Sequence, residues 1–179
     1  GAANLVVPDA TQWSAGVFLN TQISDYIDTR LDGGYTVYTP DNSRSVVTAN
    51  TSGFYFSMSL SHRVNRFVTY TLMAGRSTDL SAFGQAQTYY FVRLEPGWKF
   101  FLKYDLSTPV WWQRGTRVYN MAGSGTGDYE QIGAGLTISR SFGRKLAASL
   151  SYRFVQETSN QADLNYAQNI VDLNLTYHF

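Results

Sequence analysis

Apolar and polar residues alternate with a period of two in the last stretch of the chain. Between residues 169 and 179, Val171, Leu173, Leu175, Tyr177 and Phe179 fall on one parity, and the other parity is polar. Successive side chains of a β-strand point to opposite faces, so a period of two predicts a strand. One face of this strand is expected to meet an apolar environment and the other a polar one.

The same alternation recurs upstream and gives eight runs in all. They cover about residues 13–23, 54–61, 67–75, 85–94, 100–107, 131–139, 146–154 and 169–179. The run over 85–94 is the least regular, because both of its parities contain aromatic residues. Each run is close to the length of about 9–11 residues that a tilted membrane strand requires.

The connections between these runs alternate in length. Short connections are predicted at 62–66, 95–98 and 140–145, and longer ones at 24–52, 77–84, 108–128 and 157–168. Short periplasmic turns alternating with long outer loops are typical of outer-membrane barrels. We therefore predict an all-β fold: an eight-stranded antiparallel up-and-down transmembrane β-barrel over residues 13–179. Residues 1–12 form a periplasmic N-terminal segment, and both termini are periplasmic.

The connection that contains residues 26–50 is long enough to have strand character of its own. A ten-stranded barrel therefore stays open as an alternative. Against it, Asp25, Asp28, Arg30 and Asp32 would bring charges into the membrane, where they are costly.

Composition supports a membrane barrel over a soluble one. Charged residues make up 15% of the chain, against about 25% in soluble domains. The alternative is a soluble β-sandwich or lipocalin-like barrel, whose polar parity would face water. Here the polar parity is mainly Ser, Thr, Gly and Asn, whereas a water-facing side usually carries more Lys and Glu. The net charge of +1 argues against nucleic-acid binding.

The final strand carries the most specific resemblance. The chain resembles the superfamily of small outer-membrane barrels that includes the OmpA and OmpX types, on architecture over about residues 13–179. Val171, Leu173, Leu175, Tyr177 and Phe179 look like the terminal signal by which the barrel-assembly machinery recognises such proteins. The resemblance implies location in the bacterial outer membrane, with that machinery as a partner during insertion.

Four charged residues are predicted to face the barrel interior: Lys103, Asp105, Arg153 and Asp172. The interior of an eight-stranded barrel is just wide enough for side chains to fill it. Buried charges must be paired or hydrated, so we expect one polar network, with an ion pair between Arg153 and Asp172. Such a network is structural packing or, alternatively, a gate that admits small solutes.

Catalysis and metal binding find little support in the sequence. The two histidines, His62 and His178, lie at the predicted periplasmic end without a nucleophile and acid beside them. Two isolated histidines also lack metal-ligand spacing, so the chain is predicted not to be an enzyme and to have no cofactor. Arg76 ends a strand on the lipid-facing parity and is a candidate for contact with lipopolysaccharide phosphates; a solvated arginine is the alternative.

The sequence therefore predicts an integral outer-membrane barrel with a structural or surface-interaction role and a lumen filled by polar side chains. Exposed loops on a rigid scaffold are where binding function usually lies. Two alternatives stay open: a narrow pore for small solutes, and a barrel subunit of a larger complex with other envelope proteins.

Overall fold

The computed structural model describes residues 10–40, 51–80, 86–100, 103–119, 125–143, 145–160 and 164–177. These residues form ten β-strands: β1 (Ala10–Ser24), β2 (Ile27–Pro40), β3 (Thr51–Arg63), β4 (Val68–Leu80), β5 (Ala86–Phe100), β6 (Tyr104–Ser107), β7 (Val110–Tyr119), β8 (Gly125–Phe142), β9 (Leu146–Ser159) and β10 (Tyr166–Tyr177). Within the described ranges, no helix is long and apolar enough to cross a membrane.

The ten strands form one antiparallel up-and-down sheet with nine strand positions. β6 and β7 share a position, because both pair with β5 on one side and with β8 on the other. They are separated by Thr108 and by Pro109, whose ring nitrogen cannot donate to the ladder. Backbone hydrogen bonds to both neighbouring strands continue across this break, since the Thr108 amide donates to the Pro96 carbonyl and the Gly135 amide to the Pro109 carbonyl.

The predicted count of eight strands is wrong for the described sheet, chiefly because of β2. This strand lies in the predicted 24–52 connection and pairs along its whole length with β1 and β3. Its charged residues Asp28, Arg30 and Asp32 fall on one parity, opposite Ser61, Ser59 and Ser57. They therefore project to the polar side of the sheet, so the cost of placing charges in lipid does not apply to them.

A second correction concerns the turn predicted at 95–98. β5 runs through this segment, with Pro96 opposite Tyr70 and Gly97 opposite Thr69. The chain reverses instead between Phe100 and Tyr104. By contrast, the turn predicted at 140–145 is present, and Gly143 has a φ of +69°, a left-handed conformation that favours glycine.

The two ends of the sheet differ in the length of their connections. The short-turn end holds the reversals after β1, β3, β5 and β8, and the long-connection end holds those after β2, β4, β7 and β9. β1 starts at the long-connection end, whereas β10 finishes at the short-turn end. The prediction that both termini lie on one side assumed an even number of strands. It does not fit nine positions, whose first and last strands run in the same direction.

The sheet has a polar face and an apolar face. The polar face includes Ser57, Glu95, Gln131, Ser151 and Asn174, and the apolar face includes Leu72, Val92, Ile132, Leu150 and Leu173. Exposure is the reverse of that in a soluble protein: Ile132 and Leu173 are 46% and 70% exposed, whereas Tyr129 and Glu157, on the polar face, are 2% exposed. An exposed apolar face around a partly buried polar one is the arrangement that a lipid environment favours.

Candidate functional site on the polar face

Aromatic side chains on the polar face lie over glycines of other strands. A Cβ atom added to Gly133 would fall within 2.1–2.7 Å of three atoms of the Trp111 indole. Gly16 and Gly34 are covered in the same way by the Tyr55 hydroxyl. Glycine is required at these positions because the ring or hydroxyl occupies the space that a side chain would fill. Trp111 is therefore held flat against the sheet.

An open cavity of about 710 Å³ lies on the polar face between β4 and β10. Its lining combines the aromatic residues Tyr89, Phe91, Trp111 and Tyr166 with the polar or charged residues Arg93, Gln113, Gln131, Arg153, Gln168 and Asp172. Hydrogen-bonding groups and charges thus line this cavity on the polar face.

A buried ion pair lies beside this cavity, towards the long-connection end. Arg117 Nη1 lies 3.1 Å from Glu157 Oε1, and the side chains are 18% and 2% exposed. Glu157 also accepts hydrogen bonds from Gln131 (3.2 Å) and from the Tyr166 hydroxyl (3.3 Å). The Arg117 guanidinium lies 4.4 Å from the centre of the Tyr129 ring. These contacts, which we call the Arg117 cluster, compensate the loss of solvent around both charges.

A second group, the Asp79 cluster, lies on the polar face at the same end of the sheet. The Asp79 carboxylate accepts hydrogen bonds from the hydroxyls of Tyr89 (2.8 Å), Ser77 (3.0 Å) and Tyr38 (3.5 Å). Register places Tyr129 near this cluster, because both Tyr89 and Tyr129 pair with Gly115. The two clusters thus tie β2, β4 and β5 together, and β7 to β10 together.

The residues predicted for the interior are only partly brought together. Lys103 lies exposed in the turn before β6, and Asp105 pairs in register with Lys99. Arg153 and Asp172 both lie on the polar face and line the cavity. Their positions are offset, since Arg153 is opposite Ile170 and Asp172 is opposite Ser151. No ion pair joins these two residues, both of which the structure describes.

Sequence reasoning missed both clusters because it placed their residues in connections. Arg117 fell in the predicted 108–128 loop, Asp79 in the 77–84 loop and Glu157 at the start of the 157–168 loop. A signal was present in 110–119, where Val110, Trp112 and Val118 alternate with polar residues such as Gln113 and Arg117. The alternation was hard to recognise because this segment also contains two adjacent tryptophans and three arginines or glutamines.

The other sequence-predicted residues lie on the apolar face or outside the described ranges. Val171, Leu173, Leu175 and Tyr177 are exposed on the apolar face of β10, and Phe179 lies outside the described residues. Arg76 also lies on the apolar face, with its guanidinium 3.8 Å from the centre of the Phe54 ring and donating to the Phe54 carbonyl.

Of the two histidines considered in the sequence, the structure describes His62. His62 Nδ1 lies 2.7 Å from the Tyr70 hydroxyl near the short-turn end, and His178 lies outside the described residues. No group of three or more metal-ligating side chains occurs among the residues described.

Comparisons with known proteins give the fold. No protein-family model matches the chain, and no curated protein resembles it significantly in sequence. Among solved structures, it is similar to OmpT, an outer membrane protein of Vibrio cholerae, with a TM-score of 0.63 and 13% identity over 94% of this chain and 56% of OmpT. A mutant of OmpT lacking loop L8 gives a TM-score of 0.64 and 13% identity, over 93% of this chain and 53% of the mutant. The chain thus spans about half the length of the structures it matches.

These neighbours bear on two predictions. They support an outer-membrane β-barrel but do not confirm the small eight-stranded OmpA or OmpX type. The prediction that the chain is not an enzyme is wrong as an exclusion, because the fold it shares with OmpT is compatible with an enzyme. Its two arguments, histidines without a nucleophile and acid beside them and the lack of metal-ligand spacing, do not rule out catalysis on this fold. What the comparison establishes is that the chain has the fold of outer-membrane β-barrel proteins.

Proposed function

We propose that this chain forms the wall of a water-filled passage through which small polar solutes cross the outer membrane. One observation carries the proposal: the polar face bears an open cavity of about 710 Å³ lined by charges and hydrogen-bonding groups. A face that served packing alone would bring these charges into pairs. Arg153 and Asp172 are instead offset within the cavity, without an ion pair between them.

Planar-bilayer recording with the purified full-length chain tests this function. We expect reproducible single-channel steps, with a reversal potential in a salt gradient that depends on the cavity charges. Arg153→Gln removes a positive charge and should shift selectivity towards cations. Asp172→Asn should shift it towards anions.

Arg140→Gln is the matched control, because Arg140 lies on the apolar face, where its guanidinium contacts the rings of Tyr104 and Phe142. It should leave the reversal potential unchanged. Absence of channel steps, or equal effects of all three substitutions, would contradict the proposal. It would favour the structural or surface-interaction role, carried by connections such as 41–50 and 120–124 that lie outside the described residues.

We also propose how the chain is recognised for insertion into the membrane. The exposed apolar row Val171, Leu173, Leu175 and Tyr177 on β10 supports its use as a signal to the barrel-assembly machinery. A place in a larger complex with other envelope proteins stays a prediction, for which co-purification from native membranes is the measurement.

A further inference from the structure

Two arginines lie on the apolar face at the same level of the sheet. Arg76 of β4 pairs in register with Tyr90 of β5, which pairs in turn with Arg114 of β7. Adjacent strands are about 4.8 Å apart, so the two arginine Cα atoms are separated by about 10 Å. Long side chains from these positions can reach one small group in front of Tyr90.

This row marks a boundary in the polarity of the apolar face. On its short-turn side, the next row across β4, β5, β7 and β8 is apolar throughout: Ala74, Val92, Trp112 and Ile132. On its other side, the equivalent row is polar in β5, β7 and β8, at Thr88, Thr116 and Asp128, and Thr78 of β4 is buried. The arginines therefore stand where the apolar band ends, at the depth of lipid headgroups in a membrane.

Neither arginine has a carboxylate partner among the three ion pairs of the described residues. The Arg76 guanidinium lies over the Phe54 ring and donates to the Phe54 carbonyl. It therefore points towards β3, on the side of β4 away from Tyr90, and a change of side-chain rotamer brings it in front of Tyr90. Arg114 is exposed and pairs in register with Glu130. The Glu130 carboxylate, however, accepts a hydrogen bond of 2.6 Å from Trp112 Nε1. Two guanidinium groups thus face the headgroup region with their charge uncompensated by an ion pair.

We propose that Arg76, Tyr90 and Arg114 form a binding site for the phosphate of a lipopolysaccharide headgroup. Guanidinium groups donate paired hydrogen bonds to phosphoryl oxygens and are suited to this anion, and the Tyr90 hydroxyl adds a third donor between them. Glu130 bounds the site on one side and repels the anion. The site requires only that the apolar face contacts lipid, so its test is independent of the test of the proposed passage.

Titration of the full-length chain in neutral detergent with diphosphoryl lipid A, followed by native mass spectrometry, tests the site. We expect Arg76→Gln and Arg114→Gln each to weaken binding about tenfold, and Tyr90→Phe to weaken it less. Glu130→Gln should strengthen binding, since it removes the repelling charge. A folded sheet in each variant is checked by circular dichroism, and Tyr90→Phe and Glu130→Gln keep the test usable if an arginine variant does not fold.

Arg140→Gln and Arg153→Gln are the controls, because they remove the same charge from the other end of the apolar face and from the polar face. Loss of binding in the controls equal to that in the site variants would overturn the proposal, as attraction by overall charge would explain it. Displacement of lipid A by an equal concentration of inorganic phosphate would overturn the assignment to a lipid and leave a free-phosphate site. Unchanged binding in the double variant of Arg76 and Arg114 would also overturn it.

Discussion

Arg117 and Glu157 form the most deeply buried of the ion pairs in the described part of the chain. Their opposite charges are compensated by each other and by the hydrogen bonds from Gln131 and Tyr166. Removing one member of a buried pair leaves the other charge without compensation, and this typically costs about 3–5 kcal/mol. The pair is therefore expected to matter for stability through the cost of breaking it.

We predict that Glu157→Gln lowers the free energy of unfolding by about 3 kcal/mol. The amide keeps the shape of the side chain but leaves the Arg117 charge unpaired. The measurement is denaturant unfolding of the protein folded into lipid vesicles. Glu95→Gln is the matched control, because the Arg93–Glu95 pair is 46% and 31% exposed and should contribute less than about 1 kcal/mol. Equal losses in the two variants would contradict the importance of burial.

Gly133 is expected to hold Trp111 in place. In Gly133→Val, the added side chain would occupy the position of the indole, so the ring must move off the sheet and into the cavity. We expect a changed tryptophan emission spectrum and, if the cavity conducts, a smaller single-channel conductance. Gly135→Ala is the milder control, since its nearest neighbour would be Pro109 Cγ at 3.1 Å. An unchanged spectrum in Gly133→Val would show that the ring does not depend on this glycine.

At the scale of the strands, the alternation of apolar and polar residues predicted most of the sheet. It failed where charged residues were counted without asking which face of a strand they share. β10 and β9 were found because one parity is almost wholly apolar. β2 was missed because Asp28, Arg30 and Asp32 were counted as charges at membrane depth, although all three share the polar parity. Pro96-Gly97 was interpreted as a turn, yet at this position Pro96 is tolerated within β5. Local turn propensity cannot reveal that a neighbouring strand pairs through such a dipeptide.

The clusters were harder to predict than the strands. Arg117 and Glu157 are forty residues apart in sequence, and they meet because β7 and β9 both flank β8. Their contact depends on the register of both pairings, and alternation alone does not fix register to one residue. The predicted pairing of Arg153 with Asp172 depends on register in the same way, and the structure places these residues two residues out of register.

The assignment of β2 to the membrane gives a prediction for that strand. Leu31 lies on the apolar face and is 44% exposed, so Leu31→Lys should put a charge into lipid. Lysine on the lipid face costs about 2–4 kcal/mol near the bilayer midplane, and we expect a loss of that size in unfolding from vesicles. In the control Ser57→Lys, the same charge lies on the polar face beside Asp32, with which the Ser57 hydroxyl now bonds, and stability should change little. A loss below about 0.5 kcal/mol for Leu31→Lys would place β2 outside the membrane.

At the scale of the whole molecule, the number of strand positions limits how the sheet can close. β1 pairs only with β2, and β10 only with β9, in the part of the chain that the structure describes. With nine positions in an up-and-down order, β1 and β10 run in the same direction. Direct pairing between them would make a parallel seam, whereas bacterial single-chain barrels have even strand numbers and antiparallel neighbours throughout.

We therefore predict that β1 and β10 are not neighbours within one chain. The sequence contains no cysteine, so pairs of introduced cysteines report on this without background. Ala15→Cys, Val17→Cys and Leu19→Cys, each combined with Leu173→Cys, sample three levels of β1 and should form no disulfide within the chain under oxidation in membranes. Leu150→Cys with Leu173→Cys should form one, because these residues are direct partners in β9 and β10. An intrachain disulfide from β1 to Leu173 at any of the three levels would establish direct closure through a parallel seam and would overturn the parity argument.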